Sequence, residues 1–232
     1  MAITESEKNP IVIEDNVLAN DPFNKGEDFV TKNSKFIAIA LGVVLLAVAG
    51  YFFYKYQMDE KNKEAQAEMF GSVYYFEADS LNKALNGDGK DLGFLNISED
   101  YSGTKAGNLS NFYIGVIYLK NGKFEDAKEY LKKFSSDDLL LQARAYCLIG
   151  DANLELKDTE GAIEYYKKAS SYHPNEFFTP RYLMKLALAH ELNKEFDNAV
   201  EDYNKIINDY YKSAEASDAK KLRAFAEEKV SK

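Results

Sequence analysis

Hydrophobic positions follow two different patterns along the chain. Between Phe36 and Tyr54, nineteen residues carry no charge, and no side of a helix built from them is polar. At about 1.5 Å per residue this stretch is roughly 28 Å long, close to the ~30 Å hydrocarbon core of a bilayer. Beyond it, apolar residues recur every three to five positions, as at Met69, Val73 and Phe76. The pattern predicts an all-α chain with one transmembrane helix at 36–54, followed by amphipathic helices.

The apolar stretch is interpreted as an anchor that stays attached. Lys32 and Lys35 precede it, and aromatic residues gather at its other end, as membrane interfaces favour. A cleaved signal is the alternative, because Ala47-Val48-Ala49 fits a small-x-small cleavage site. The long acidic segment before the stretch and the apolar residues beyond that site favour the anchor. Lysines occur on both sides, so the positive-inside rule does not choose an orientation.

Two short features accompany the predicted span. Ala38 and Gly42 form a small-xxx-small pair, which predicts packing against another membrane helix. The alternative is that small residues are simply common in spans. Residues 1–35 contain two prolines and several Asn and Asp without a sustained period, and are predicted to be a mostly disordered cytosolic tail.

Composition narrows the function classes. The 232 residues carry a formal net charge of −9 with a pI near 4.9, whereas binding to nucleic acid or to anionic lipid requires a basic face. Cys147 is the single cysteine, and His173 and His190 show no metal-site spacing. The sequence has no phosphate-binding loop and no nucleophile motif. We expect a protein that is not an enzyme and uses no cofactor, metal, nucleic acid or small-molecule substrate.

Repeated segments follow the membrane-proximal region 55–106, which is predicted to hold one amphipathic helix ending at Gly87 and a loop with a short helix. Three stretches within 107–212 share a small residue, an alanine twelve positions later and a large apolar residue four further on. Antiparallel helices need small side chains where they cross closely, and the large residue fills the neighbouring gap. The three sets are Gly115, Ala127 and Leu131; Gly150, Ala162 and Tyr166; and Ala187, Ala199 and Tyr203.

The stretches resemble the tetratricopeptide repeat (TPR), with its pattern W-x2-L-G-x2-Y…A-x3-F-x2-A…P. The resemblance covers residues 108–211. Trp is absent, Asn111 stands in its place in the first repeat, and His190 replaces the usual Tyr in the third. The resemblance implies an α-solenoid of about three helix pairs with flanking helices. Residues 213–232 are predicted to close it as a capping helix whose inward residues are Ala216, Ala219, Leu222 and Phe225.

A TPR solenoid implies a concave groove lined by the first helix of each pair. Its predicted partner-binding residues are Phe112, Tyr113, Val116, Arg144, Leu148, Arg181, Met184, Lys185 and Leu188. The TPR clamp for chaperone tails needs Lys and Asn where Phe112 and Val116 stand, and only Arg181 and Lys185 match, so that clamp is not expected. The mixed groove suits an extended peptide or a partner helix. Internal packing of these residues is the alternative.

The layout of a short tail, one span and a TPR domain resembles the YfgM-like family of ancillary subunits of the bacterial SecYEG translocon. The junction FVTKNSKFIAIALGVVLLAVAGYFFYKY is similar to that family's tail-to-span segment. The resemblance implies an inner-membrane protein with its repeats in the periplasm. Its implied partners are translocon core subunits, a membrane-anchored periplasmic chaperone of the prolyl-isomerase-like type, and unfolded envelope proteins. A cytosol-facing TPR adaptor or receptor with the reverse topology is the alternative.

Overall fold

The computed structural model of the chain describes residues 30–231, so most of the predicted disordered tail lies outside the described residues. The described part is helical apart from turns, loops and an isolated bridge between Gly87 and Leu92, which confirms the all-α prediction. Two compact units divide at Gln57 and Met58. The helices are α1 (Ser34–Glu77), α2 (Leu81–Asn86), α3 (Phe94–Asp100), α4 (Lys105–Lys120), α5 (Phe124–Lys133), α6 (Leu139–Glu155), α7 (Thr159–Ser171), α8 (Thr179–Leu192), α9 (Phe196–Asp209) and α10 (Ala216–Val230).

Helix α1 is long and apolar enough to cross a membrane. Its most apolar 18-residue window has a mean hydropathy of 2.6, and none of that window is buried. The helix contains the predicted span and continues to Glu77, short of the predicted end at Gly87. Asp79 takes a left-handed backbone conformation with φ of 54°, which interrupts the helix before the short α2 begins. The prediction of one helix up to Gly87 was therefore wrong.

In the second unit, the last part of α1 is buried on one face. Ala65 and Met69 pack in a core cluster with Phe94 and Ile97 of α3. The Ser72 hydroxyl, buried on the same helix, donates a hydrogen bond to a backbone carbonyl of the loop that leads into α3. The predicted short helix in this region is thus present, and it covers one side of α1.

Three helix pairs form the solenoid: α4 with α5, α6 with α7, and α8 with α9. A Cβ atom added to Gly115 would lie 2.5 Å from Leu131 Cγ, and one added to Gly150 would lie 2.5 Å from Tyr166 Cε1. Glycine therefore lets the two helices of each of these pairs approach closely. In the third pair Ala187 takes this place and is fully buried. The contacts confirm the register predicted for the repeats.

The same turn joins the two helices of every pair. Its middle residue has a left-handed backbone with φ between 62° and 72°, at Gly122, Lys157 and Lys194. The backbone N–H of the next residue returns to a carbonyl of the preceding helix over 2.8 to 2.9 Å. This is the hydrogen bond of a Schellman-type helix end, which satisfies a carbonyl that the helix itself leaves open. The three turns therefore share one backbone geometry.

Helix α10 closes the solenoid on its C-terminal side. Ala216, Ala219 and Ala226 are buried against the core of the third pair, as a capping helix requires. Leu222 is half-buried there, but Phe225 is 66% exposed. The inward face is therefore rotated from the predicted one, because small alanines allow a close approach to α9 that a phenylalanine would prevent.

Candidate partner-binding groove

The first helices of the three pairs line a cavity of 670 Å³. Each helix contributes one leucine: Leu119 from α4, Leu154 from α6 and Leu188 from α8. Phe124, at the start of α5, adds an aromatic ring. Leu188 is 40% exposed, so this wall is open to a partner. Side chains from three consecutive repeats thus combine into one apolar surface, which no single repeat provides.

Asp151 organises the polar side of the cavity. Its Oδ1 accepts hydrogen bonds from Lys185 Nζ and from the Tyr166 hydroxyl, each over 2.6 Å. Burial, followed by the nearby Asp151 charge, raises the pKa of Tyr166 well above its ordinary value, so the phenol keeps its proton and donates. Lys185 Nζ also lies 5.7 Å from the centre of the Tyr166 ring. These contacts tie α6, α7 and α8 together behind the apolar wall.

Two of the predicted groove residues lie in the protein core. Phe112 is 5% exposed and Val116 is 9% exposed, and both pack against Ala145 and Ile149 of the next first helix. The Phe112 ring also lies 5.3 Å from the ring of Phe134. Their burial corrects the expectation that they face a partner, because the second repeat covers this part of α4.

Three more predicted residues are half-buried against neighbouring elements. Tyr113 stacks on Phe94 with ring centres 4.7 Å apart, and meets Phe76 edge-on at 5.0 Å. Leu148 packs against the core cluster between the first two repeats, and Met184 packs against that of the last two. The structure leaves these side chains a reduced surface for a partner.

The remaining predicted residues are at the surface of the first helices. Arg144 is exposed and forms no ion pair within the part of the chain that the structure describes. Arg181 Nε lies 3.1 Å from Glu215 of the segment before α10, and Lys185 is held by Asp151. Leu188 joins Lys185 in the cavity, so the structure brings only these two predicted residues together there.

Sequence reasoning missed the residues at the ends of the first helices. Leu119 and Leu154 stand 35 residues apart, which is the spacing of the first two repeats. That equivalence is a signal in the sequence, and it places both leucines at the same position of the repeat. Glu155 also lines the cavity, and it follows Leu154 directly.

The predicted membrane-helix contact concerns the other unit. Ala38 is exposed on α1, and a Cβ atom added to Gly42 would meet no heavy atom within 4 Å. A second helix therefore has access to this pair, and the contact stays a prediction.

Cys147 and possible metal ligands are the side chains to consider for chemical reactivity. Cys147 is 6% exposed, and burial raises the pKa of its thiol to about 12, which keeps it protonated and unreactive. Within the described residues, no group of three His, Cys, Asp or Glu side chains is placed to hold a metal ion.

Comparison with protein families bears on the solenoid. Residues 114–174 and 181–213 each match a family model of the tetratricopeptide repeat. The solenoid is built from TPRs. The first segment runs from within α4 to just beyond α7, and the second covers most of α8 and all of α9. Neither match indicates a catalytic family.

Solved structures agree with this fold. The crystal structure of MamA protein is similar with a TM-score of 0.51 at 21% sequence identity, covering 72% of this chain and 88% of that one. At this identity the likeness concerns the fold. No curated protein matches the chain in sequence.

Proposed function

We propose that the chain is a non-enzymatic, membrane-anchored TPR protein that holds partner proteins in its groove at the periplasmic exit of the Sec translocon. TPRs indicate a protein-interaction role, and the cavity between the three first helices carries the proposal. An apolar wall from three repeats, backed by the Asp151–Lys185 pair, gives a partner side chain an apolar contact beside polar groups. Such a site binds a client protein without catalysing a reaction.

Anchoring through α1 supports the membrane part of the proposal. The apolar window of this helix has the length and hydropathy of a span, and its side chains are exposed. A tethered groove acts at a raised effective concentration toward partners in the same membrane. Weak contacts are then sufficient for a holding function.

The translocon assignment rests on the resemblance of the layout to the YfgM-like family. It names translocon core subunits, a prolyl-isomerase-like chaperone anchored in the same membrane, and unfolded envelope proteins as partners. A chaperone or an emerging client presents apolar segments, and the leucine wall suits these.

A cytosol-facing adaptor with the reverse topology is the second candidate. Three lysines, Lys25, Lys32 and Lys35, lie within about twenty residues before the predicted span. Another three, Lys55, Lys61 and Lys63, lie within about the same distance after it. Because equal numbers of lysines flank the predicted span, the positive-inside rule is compatible with either orientation.

Orientation is tested by cysteine labelling in intact cells. Cys147 is replaced by Ala, and the exposed Lys212 is changed to Cys as the reporter. A periplasmic domain reacts with a membrane-impermeant maleimide before lysis, whereas labelling only after lysis supports the cytosol-facing adaptor. Mass spectrometry of the N-terminal peptide in the same sample shows whether the chain is cut after Ala49.

The groove is tested by recovering partners of the full-length protein from its native membrane in mild detergent. Leu154→Asp with Leu188→Asp is expected to lose the translocon and chaperone subunits that the unmodified protein captures. Leu139→Asp is the matched control, because Leu139 is 50% exposed on α6 but does not line the cavity. Equal capture by all three proteins would place the binding site elsewhere.

A further inference from the structure

The charged residues that line the cavity between the first helices differ in whether they have an ion-pair partner. Four charged residues line it: Lys120, Asp151, Glu155 and Lys185. Lys185 is neutralised by Asp151 within the cavity, at 2.6 Å. Lys120 is neutralised from outside by Asp79, at 2.7 Å. Both cations that line the cavity are therefore already paired.

Glu155 is the charge that remains. It is exposed and forms no ion pair with any residue that the structure describes. It is the last residue of α6, where the helix dipole already favours positive charge. Asp151 and Glu155 lie four positions apart on α6, so their carboxylates project from the same face of that helix.

Apolar and negative groups therefore lie side by side. The leucine wall accepts a large apolar side chain, and Glu155, next to Leu154, offers a carboxylate at the margin. We propose that this cavity takes a partner segment in which a large apolar side chain is followed closely by Lys or Arg, with Glu155 pairing the cation. The inference rests on the proposed function and specifies its partner. It also disfavours acidic segments, since a second carboxylate would face Glu155.

The test uses the full chain in detergent micelles and three fluorescent nine-residue peptides. One contains Leu-Phe-Lys in a Gly/Ser background, the second contains Leu-Phe-Glu, and the third contains Ser-Ser-Lys. Fluorescence anisotropy gives the affinities. We expect the first peptide to bind about two- to fivefold more tightly than the second, the range for an exposed ion pair, and the third to bind weakest. The preference is expected to shrink in 1 M salt, where the Debye length is about 3 Å.

Substitutions at Glu155 identify the carboxylate. Glu155→Gln is expected to remove the preference for the lysine peptide, and Glu155→Lys to reverse it in favour of the glutamate peptide. Glu164→Gln is the matched control, because Glu164 is an exposed glutamate on α7 that is paired with Lys168 and does not line the cavity. This control is expected to keep the full preference.

Two outcomes separate the inference from the proposed function. Equal binding of the lysine and glutamate peptides, with both lost in Leu154→Asp with Leu188→Asp, overturns the charge preference and leaves the groove as the binding site. Peptide binding that survives this double substitution overturns the cavity as the site, and with it the inference.

Discussion

The first and third repeats share a sequence pattern, but they differ in how much of the concave face is open. Val116 in α4 and Leu188 in α8 occupy equivalent positions, one residue after the small residue at the helix crossing. Val116 is 9% exposed, whereas Leu188 is 40% exposed. The second repeat packs on α4 through Ala145 and Ile149, while α10 contacts the third repeat mainly through alanines. A position in the repeat therefore fixes the direction of a side chain, and the neighbouring element decides whether a partner reaches it.

The largest effect is expected from a substitution that unfolds the second repeat, which lies between the first and the third. Ala162→Glu places a charge at a fully buried helix crossing in the second pair, within a cluster of buried apolar residues. We expect a loss of about 3–5 kcal/mol in the free energy of unfolding. Thermal unfolding followed by circular dichroism measures it on the full chain in detergent. Lys167→Glu, at an exposed site on the same helix, is expected to melt within a few degrees of the unmodified protein, and an equally mild effect of Ala162→Glu would refute the repeat register.

Alanine substitution compares the two faces directly. Phe112→Ala in the first repeat removes a ring that is 5% exposed, and is expected to cost about 3–5 kcal/mol of stability. Leu188→Ala in the third repeat removes a side chain that is 40% exposed, and is expected to cost about 1 kcal/mol. The expected effects on binding are opposite, with the larger loss of partner capture for Leu188→Ala. Similar melting temperatures for the two variants would show that the concave face is equally open in both repeats.

The periodicity of the sequence predicts the crossings, because a close helix contact places a strict limit on side-chain size. Gly115 and Gly150 were therefore identified with their partners Leu131 and Tyr166. Exposure along the groove is not predictable in this way. Burial of Phe112 depends on how the second repeat packs over it, and the stacking of Tyr113 depends on Phe94, whose segment lies outside the repeat pattern.

The groove also depends on pairings between distant residues. Asp79 neutralises Lys120 across 41 positions, and Asp151 neutralises Lys185 across 34. A sequence shows these charges but not which of them are paired. The prediction therefore assigned partner binding to cations of the groove that are already paired, and it omitted Glu155. The tertiary structure determines how helices with few apolar positions pack. It also determines which ion pairs form between helices.

Opposite substitutions at equivalent crossings sharpen the comparison further. Gly150→Ala would push a methyl group against the buried ring of Tyr166, whose hydroxyl is held by Asp151. After the gain in helix propensity, we expect a net loss of about 1 kcal/mol. Ala187→Gly in the third repeat is expected to lose about 1 kcal/mol as well, since it removes a buried methyl group and loosens the helix. If Gly150→Ala raised the melting temperature instead, Tyr166 would have room to move and the crossing would not require glycine.

The smallest single effect is expected in the turns that join the two helices of each pair. Gly122 in the first repeat and Lys194 in the third have left-handed backbones with φ of 72° and 62°, and the following N–H returns to the helix over 2.8 Å in both. A side chain at such a position is strained, whereas glycine is not. We expect Gly122→Ala to lose about 1 kcal/mol and Lys194→Gly to gain about 0.5 kcal/mol, less than the strain relieved because glycine also loses more entropy on folding. Paired thermal melts of the two variants measure the difference. A loss of stability in both would mean that Lys194 makes a favourable contact that outweighs its backbone strain, and the two turns would then be alike in geometry but not in energy.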